Sequence, residues 1–319
     1  MDAGHTKGRN DLVSWLEAQP KNFYEADPLL QFLMESAGTP DQIAALRDFG
    51  AVAAGPLDAA AIENNRHPNL PWLDSWDGIG RNKEQIGHHP SYHEAGKYIY
   101  GSGVMAAYQA VPNPHRFILS LFYLSAQVGE AGHNCPLACT AGAIRSIQAL
   151  GTSEQKAQWL PGLLNPTYGE HFSASQFLTE VQGGSDVGLN SCRATPEPDG
   201  TYRIWGEKWF CSSADAQVFI MTARRDDGPT GTPGLSLFLV PRERDGKPNG
   251  FRLRRLKDKL GTRSMASAEI DFVGAWAQPL GPLEGGFQNI MRYVINTSRL
   301  YNAFGCAGLA QRACHIART

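Results

Sequence analysis

The most informative stretch of this 319-residue sequence is Phe177-Leu178-Thr179-Glu180-Val181-Gln182-Gly183-Gly184-Ser185-Asp186-Val187. Its two adjacent glycines allow backbone amides to approach a ligand closely. The hydroxyl groups of Thr179 and Ser185 can bond polar atoms of a cofactor, and Asp186 can stabilise the turn through its own backbone. A second interpretation stays open here, because a Gly-Gly-Ser-Asp hairpin turn without any ligand has the same composition.

A second segment, Gly206-Glu207-Lys208-Trp209-Phe210-Cys211-Ser212-Ser213, begins inside a predicted strand and places two aromatic side chains beside two hydroxyl groups. An aromatic ring can cover one face of a flat cofactor, while a hydroxyl group meets a ring nitrogen or carbonyl. Taken alone, Trp209 and Phe210 are more typical of a hydrophobic core.

Two changes of pattern divide the chain around these segments. Residues 1–170 carry helical signals, such as the stripe from Phe117 to Val128 and the N-cap residues Thr39 and Thr152. Residues 171–282 contain about six short, alternating runs separated by turn signals, and residues 283–319 are helical again. This order is not a βαβ alternation. It predicts an α+β fold with an N-terminal helical domain (1–170), a central antiparallel β-domain (171–282) and the start of a C-terminal helical domain (283–319).

Residues 66–90, rich in Pro, Gly, Asn, His and Trp, are expected to form a long ordered connection over the surface. The apolar stripe of the last segment predicts a neighbour outside residues 1–319 or on a second chain.

Composition and charge exclude several classes of protein. The chain has 29 Lys and Arg against 31 Asp and Glu, a net charge of −2, so it has no bulk attraction for nucleic acid or anionic membranes. The six cysteines lack disulfide or zinc spacing and are expected to be reduced thiols. We expect no signal peptide, and the longest apolar stretch is far shorter than the roughly 20 residues of a membrane span. These features predict a cytoplasmic protein.

In this order and at this spacing, the two segments resemble the acyl-CoA dehydrogenase superfamily. Phe210 and Ser212 stand where the family's Gly-x-Lys-x-Trp-Ile-Thr segment has Trp and Thr. The variant residues, especially 255–261 followed by Arg263 and Ser264, are similar to the AidB branch, the adaptive-response flavoproteins induced by alkylation stress. The family's Thr-Glu-(x)3-Gly-Ser-Asp flavin motif is matched by Thr179, Glu180, Gly184, Ser185 and Asp186.

The resemblance implies that FAD is the cofactor. Leu178 and Thr179 would meet the flavin ring, with Thr179 near its N5/O4 edge. Gly184 and Ser185 would reach the pyrimidine end and the pyrophosphate. Donors at the pyrimidine edge would stabilise the negative charge of the reduced flavin. The implied cofactor-binding residues are Phe177, Leu178, Thr179, Gly184, Ser185, Phe210, Cys211 and Ser212.

The resemblance gives no catalytic residue. Acyl-CoA dehydrogenation needs a carboxylate that takes the α-proton, and in most of the family it would lie beyond residue 319. In the isovaleryl-type branch it precedes an arginine, and here that pair is Ser298-Arg299. An unactivated serine cannot serve as this base. The chain therefore resembles roughly the first two domains of a longer flavoprotein, whose FAD site a homo-oligomer (a tetramer) or a second chain would complete.

The implied function is α,β-dehydrogenation of an acyl-CoA thioester with hydride transfer to flavin N5. Two alternatives stay open. One is an AidB-like flavoprotein with weak or no dehydrogenase activity that acts in the alkylation response or protects DNA. The other is a flavin oxidase or monooxygenase on the same fold. DNA is a partner only under the first alternative, and no membrane partner is expected.

Two further clusters have competing interpretations. His88, His89 and His93 are close in sequence, but a Gly-His-His-Pro loop is more typical of a hydrogen-bonded junction, so no metal site is predicted. The run from Arg252 to Arg263 carries six positive charges within twelve residues. Because Leu253, Leu256 and Leu260 interleave with these charges, a solvated strand with a buried opposite face is favoured over a nucleic-acid patch.

Overall fold

The N-terminal part of the chain is mainly helical. The computed structural model describes residues 3–110 and 114–319. The N-caps predicted at Thr39 and Thr152 are confirmed: each forms a capping box with a glutamine three residues later, Gln42 and Gln155. A π-helix, Ala53–Leu57, joins the third helix to the fourth. The helices of this part are α1 (Ala3–Ala18), α2 (Pro28–Ala37), α3 (Pro40–Val52), α4 (Asp58–Asn64), α5 (Pro90–Gly101), α6 (Ala107–Ala110), α7 (His115–Ala126), α8 (Asn134–Leu150) and α9 (Ser153–Leu163).

A β-hairpin interrupts these helices. Strands β1 (Trp72–Trp76) and β2 (Asn82–Gly87) pair antiparallel, so the ordered connection expected over residues 66–90 contains a β-hairpin that the sequence analysis did not predict. The Gly- and Asp-rich part is the hairpin turn, where Asp77 accepts hydrogen bonds from the amides of Ile79 and Arg81. The turn composition was visible in the sequence, but the pairing of its two flanks was not.

Two contacts clamp this hairpin to the central sheet. Arg242 donates from Nη2 to the carbonyl oxygen of Glu84 (2.8 Å) and from Nη1 to that of Ala214 (2.8 Å). The buried carboxylate of Glu84 accepts the backbone amide of Leu253 (2.5 Å). In the contacts of Glu84 with Arg242 and Leu253, donor and acceptor are therefore paired across this junction, one from the hairpin and one from the central region.

The central region holds one seven-stranded sheet and a two-stranded ribbon. The strands are β3 (Ala174–Phe177), β4 (Arg193–Pro196), β5 (Tyr202–Ser212), β6 (Val218–Arg225), β7 (Leu235–Pro241), β8 (Glu243–Arg244), β9 (Lys247–Pro248), β10 (Phe251–Leu256) and β11 (Ser267–Pro279). The strand order of the large sheet is β10-β11-β5-β4-β6-β3, and β7 pairs with both β6 and β11. Most pairs are antiparallel, whereas β6 runs parallel to β3 and β4. The predicted α+β fold class is confirmed.

The sheet separates two hydrophobic cores. On β6, Val218 and Ile220 pack into the core shared with the helices, whereas Phe219 and Met221 pack into the core of the β-domain. Because successive side chains of a strand point to opposite faces, a strand covered on both faces is apolar throughout. This explains the unbroken apolar run of the strand and fixes one face of the sheet against the helices.

The chain returns to helix after β11. Helix α10 (Gly286–Asn289), the π-helix Ile290–Ile295 and α11 (Asn296–Arg318) follow one another without a break. Helix α11 packs against α7 and α8, and the hydroxyl groups of Tyr301 and Tyr108 lie 3.0 Å apart in the helical core. Within residues 3–110 and 114–319, no helix combines the length and the apolarity that crossing a bilayer requires.

Candidate functional site

The glycine-rich segment forms a tight turn immediately after β3. Glu180 and Gly183 form a two-way backbone bridge, with N–O distances of 3.0 and 3.2 Å. Asp186 caps the short 3₁₀ helix that follows, because its carboxylate accepts the amide of Gly188 at 3.0 Å. The prediction that Asp186 stabilises the turn is confirmed. The chain thus leaves the sheet at Leu178 and Thr179 and turns back within a few residues.

A buried ion pair holds this turn against β5. Lys208 Nζ lies 2.7 Å from Glu180 Oε1, and the two side chains are 0% and 1% exposed. Lys208 also donates to the carbonyl oxygen of Leu178 (3.2 Å), while Glu180 Oε2 accepts the backbone amides of Ser191 (2.6 Å) and Cys192 (3.1 Å). Sequence reasoning gave this pair no role of its own. Its partners show that it fixes the position of residues 178–180.

A cavity of about 480 Å³ opens beside this turn, between the ends of β3 and β5, the start of α8 and the C-terminal π-helix. Residues from separate parts of the sequence converge on it. Six of the eight predicted cofactor-binding residues line its wall: Leu178, Thr179, Gly184, Ser185, Phe210 and Ser212.

The other two predicted residues face away from the cavity. Phe177 and Cys211 are fully buried in the core of the β-domain, so the expectation that their side chains line the flavin site is corrected. The reason is strand alternation: their neighbours Gln176, Leu178 and Ser212 point to the cavity face. Burial raises the pKa of the Cys211 thiol, which keeps this group protonated.

Several cavity residues were missed by sequence reasoning. Cys135 and Cys139 come from α8, and Met291 and Ile295 come from the π-helix before α11. Only the four-residue spacing of the two cysteines, which places them on one face of a helix, was a usable signal. The others reach the site through tertiary packing alone.

The Ser298-Arg299 pair lies at the start of α11. The hydroxyl group of Ser298 donates to Gln176 Oε1 at 3.0 Å, so this serine ties α11 to β3. Arg299 lines the cavity and donates to Asn296 Oδ1 at 3.1 Å. In the described part of the chain, no Asp or Glu lines this cavity, and no general base is assigned.

The residues present fit a flat, polar-edged ring such as a flavin. A Cβ atom built on Gly184 would meet only Thr179 Cγ2, at 3.7 Å, so the backbone borders open space there. Phe210 is an aromatic side chain left 53% exposed at the cavity wall. Thr179, Ser185 and Ser212 supply hydroxyl groups around it. An uncovered aromatic face beside hydroxyl and backbone donors is the combination that a polar-edged cofactor requires.

Two family matches cover most of the chain. Residues 16–170 match the adaptive response protein AidB N-terminal domain, and residues 175–274 match the acyl-CoA dehydrogenase middle domain. The chain belongs to the acyl-CoA dehydrogenase superfamily. The predicted resemblance to this superfamily and to its AidB-like branch is confirmed.

Individual relatives support the same family membership. The chain is 34% identical over 277 residues to the putative acyl-CoA dehydrogenase AidB of Escherichia coli (strain K12), covering 82% of this chain and 49% of that protein. It is 31% identical over 267 residues to acyl-CoA dehydrogenase family member 11 of Caenorhabditis elegans, covering 79% and 42%. The chain therefore spans about half the length of the curated relatives it matches.

Solved structures show the same fold. The apo form of Bd2924 superposes with a TM-score of 0.88 at 30% identity, covering 94% of this chain and 61% of that chain. Caenorhabditis elegans ACDH-11, solved in complex with C11-CoA, superposes with a TM-score of 0.86 at 26% identity, covering 94% and 54%.

Carboxylates pair with most of the positive charges in the basic run from Arg252 to Arg263. Arg254 Nη2 lies 2.8 Å from Glu207 Oε2, and Lys257 Nζ lies 2.7 Å from Glu269 Oε1. The strand predicted in this run is confirmed as β10, where Leu253 is buried and Leu256 is partly buried, whereas Leu260 is fully exposed in the loop that follows. Lys257 Nζ also lies 4.5 Å from the centre of the Phe210 ring, which places a positive charge next to the cavity wall.

The histidine cluster lies at a junction away from this cavity. His89 caps α5 through the amide of Ser91, and His93 Nδ1 lies 2.9 Å from the Tyr168 hydroxyl oxygen. His88 Nε2 lies 2.8 Å from Asp215 Oδ2. Each of these histidines thus has a protein partner. In residues 3–110 and 114–319, no three His, Cys, Asp or Glu side chains are grouped as metal ligands.

Proposed function

We propose that this chain carries the FAD-binding face of an acyl-CoA dehydrogenase-type oxidoreductase, which oxidises an acyl-CoA thioester between its α and β carbons. The observation that supports this proposal is that six residues from two motifs, about 30 positions apart in sequence, line one cavity of about 480 Å³. The solved complex of ACDH-11 with C11-CoA supports a fatty acyl-CoA as the substrate class.

FAD, when bound, supplies the acceptor for the hydride that leaves the substrate. The chain's own residues bind and orient it. The hydroxyl groups of Thr179 and Ser212 would donate hydrogen bonds to its polar edge, Gly184 leaves room for close approach of the backbone, and the Phe210 ring would cover an apolar face. Preorganised donors of this kind stabilise negative charge without reorganisation when the charge develops.

The apolar side of the cavity has a separate part in the proposal. Met291 and Ile295 of the π-helix line the cavity and would cover apolar atoms of a bound ring. The buried pair of Glu180 and Lys208 keeps the turn, and with it Thr179, in place. The cavity thus supplies both hydroxyl donors and apolar surface.

The proposal also includes assembly and location. A homo-oligomer, a tetramer in the form that the family resemblance implies, would complete the FAD site. Six free cysteines fit a reducing compartment such as the cytoplasm.

The match of residues 16–170 to the AidB N-terminal domain favours a second candidate. This candidate is a flavoprotein of the adaptive response with little or no dehydrogenase activity. The two candidates differ in whether an acyl-CoA reduces the flavin, and they share the same cofactor cavity.

Anaerobic mixing of the purified full chain with acyl-CoAs of increasing length tests the substrate. Dehydrogenation predicts loss of the oxidised-flavin absorbance with at least one of them. If none bleaches the flavin in a chain that retains FAD, the dehydrogenase proposal is wrong and the second candidate is favoured.

Cofactor content tests the site itself. Thr179→Val and Ser212→Ala should each lower the FAD retained after purification, because each removes a hydroxyl donor from the cavity wall. Thr230→Val and Ser36→Ala, at exposed positions on other parts of the chain, are matched controls that should retain wild-type FAD content. Unchanged FAD content in both cavity variants would count against the site.

A further inference from the structure

Two cysteines at the start of α8 open into the candidate cofactor cavity. The Sγ atoms of Cys135 and Cys139 lie 3.9 Å apart, and both residues line the cavity wall. They are four residues apart on one helix, so their side chains share a face. Both are free thiols. The wall therefore presents two adjacent sulfur atoms at a single point.

Hydrogen bonds link a neighbouring residue of the same cavity wall, Ser212, to a half-buried lysine. The Oγ atom of Ser212 lies 3.2 Å from Ser267 Oγ. Lys259 Nζ donates to that Ser267 oxygen at 3.1 Å. The hydrogen bond from Cys139 is the main cause that lowers the pKa of the Cys135 thiol. A thiolate is the reactive form of cysteine, and such polar donors favour it.

The charged group that opposes this effect is Glu130. Its negative charge raises the pKa of Cys135, but this effect is smaller than the lowering caused by the hydrogen bond from Cys139. Burial also raises the pKa of Glu130 itself to about 7, which limits its charge near neutral pH. The hydrogen bond between the two thiols thus lowers the pKa of Cys135 and raises that of Cys139.

The remaining cysteines offer no comparable pair. Cys192 and Cys211 are fully buried in the core of the β-domain, where burial raises the pKa of Cys192 to about 12. Cys306 and Cys314 are exposed on α11, eight residues apart, which corresponds to about 12 Å along a helix. In the part of the chain that the structure describes, only Cys135 and Cys139 combine sulfur–sulfur contact with access from a cavity.

We propose that Cys135 and Cys139 form a dithiol site that captures one soft, thiophilic electrophile of the trivalent organoarsenical class through the cofactor cavity. Soft sulfur ligands select soft centres, and two adjacent sulfurs hold one centre more firmly than either sulfur alone. With phenylarsine oxide, arsenic forms one bond to each sulfur. Its oxygen leaves as water with the two thiol protons, and arsenic stays trivalent, so no oxidant or reductant is needed.

Intact-mass spectrometry of the native full chain after treatment with phenylarsine oxide tests the site. Wild type should retain one arsenical per chain after a wash with a monothiol and lose it to a dithiol. Cys135→Ser and Cys139→Ser should each lose the adduct in the monothiol wash, because a single remaining thiol cannot chelate arsenic. The double variant Cys306→Ser/Cys314→Ser is the matched control and should retain the adduct.

Three results would overturn the proposal: no adduct on folded wild type, an adduct that survives the monothiol wash in Cys135→Ser, or loss of the adduct in the control. A thermal melt of each variant reports folding. If Cys139→Ser does not fold, Cys135→Ser alone is sufficient for the test, because Cys135 is only half-buried. Because FAD would occupy the same cavity, the treatment is carried out on both FAD-retaining and FAD-depleted full chain, which separates failure of the dithiol site from blockage by FAD. Dehydrogenase activity is not measured, so failure of the proposed function is distinguishable from failure of this proposal.

Discussion

Replacing Lys208 by methionine should sharply destabilise the protein and loosen its flavin turn. Methionine keeps much of the length of the side chain but removes its hydrogen bonds to Glu180 (2.7 Å) and to the carbonyl oxygen of Leu178 (3.2 Å). Glu180 would keep the amides of Ser191 and Cys192 yet lose Lys208, its one cationic partner among the described residues, at a position 1% exposed. Breaking a buried ion pair from one side costs about 3–5 kcal/mol.

Urea unfolding measures this cost. A loss of about 3–5 kcal/mol lowers the unfolding midpoint by roughly 1–2.5 M for a slope of about 2–3 kcal/mol/M. The double variant Glu180→Gln/Lys208→Met should be less destabilised than the sum of the two single variants, since it leaves no buried charge unpaired. FAD content should fall in parallel, because the turn carries Thr179.

The exposed pair of Arg254 and Glu207 provides the control. Arg254→Ala should cost less than about 1 kcal/mol, as is usual for ion pairs in contact with solvent. If Lys208→Met costs no more than Arg254→Ala, or if the Glu180 and Lys208 effects are simply additive, the argument from the buried pair is refuted.

Two other predictions follow from burial and close packing. Burial lowers the pKa of His133 to about 3, so between pH 6.5 and about 3 the unfolded state takes up a proton that the native state does not. The free energy of unfolding should therefore fall by up to about 1.4 kcal/mol for each pH unit of acidification. Urea midpoints across this range should fall less steeply in His133→Gln than in wild type, and an equally steep fall would contradict the role given to His133. Gly286→Ala should destabilise the protein by about 1–3 kcal/mol, because the new Cβ would lie 2.5 Å from the backbone of Ser236, whereas Gly55→Ala, with no atom within 4 Å, is the control that should stay near wild type in a thermal melt.

Local signals predicted much of the fold. The caps at Thr39 and Thr152 and the turn at Asp186 depend on residues within a few positions of one another, and all three were predicted correctly. The hairpin of β1 and β2 was missed because its strands are only half-buried and its Gly- and Asp-rich turn has the composition of a loop. Cross-strand pairing is not encoded in either flank alone.

Strand alternation decides which residues of the two sequence segments reach the candidate cavity. Thr179 and Ser212 line the cavity, but the motif also covers Phe177 and Cys211, whose side chains point into the opposite core. A strict period of two, applied from Ser212, would have excluded Cys211. Met291 and Ile295 could not have been placed, because a π-helix and the packing of α11 bring them to the wall.

The hydrogen bonds of Glu84 and Arg242 couple the unfolding of the helical region to that of the central sheet. The amide of Leu253, in the central region, has its acceptor in the Glu84 carboxylate on the β1–β2 hairpin, and the carbonyl oxygen of Glu84 has its donor in Arg242 of the central region. Separating the hairpin from the sheet would leave these groups without their partners, at a cost of about 1–3 kcal/mol for each. Calorimetry should accordingly record a single melting event for both regions, and neither should behave as an autonomous folding unit when expressed by itself.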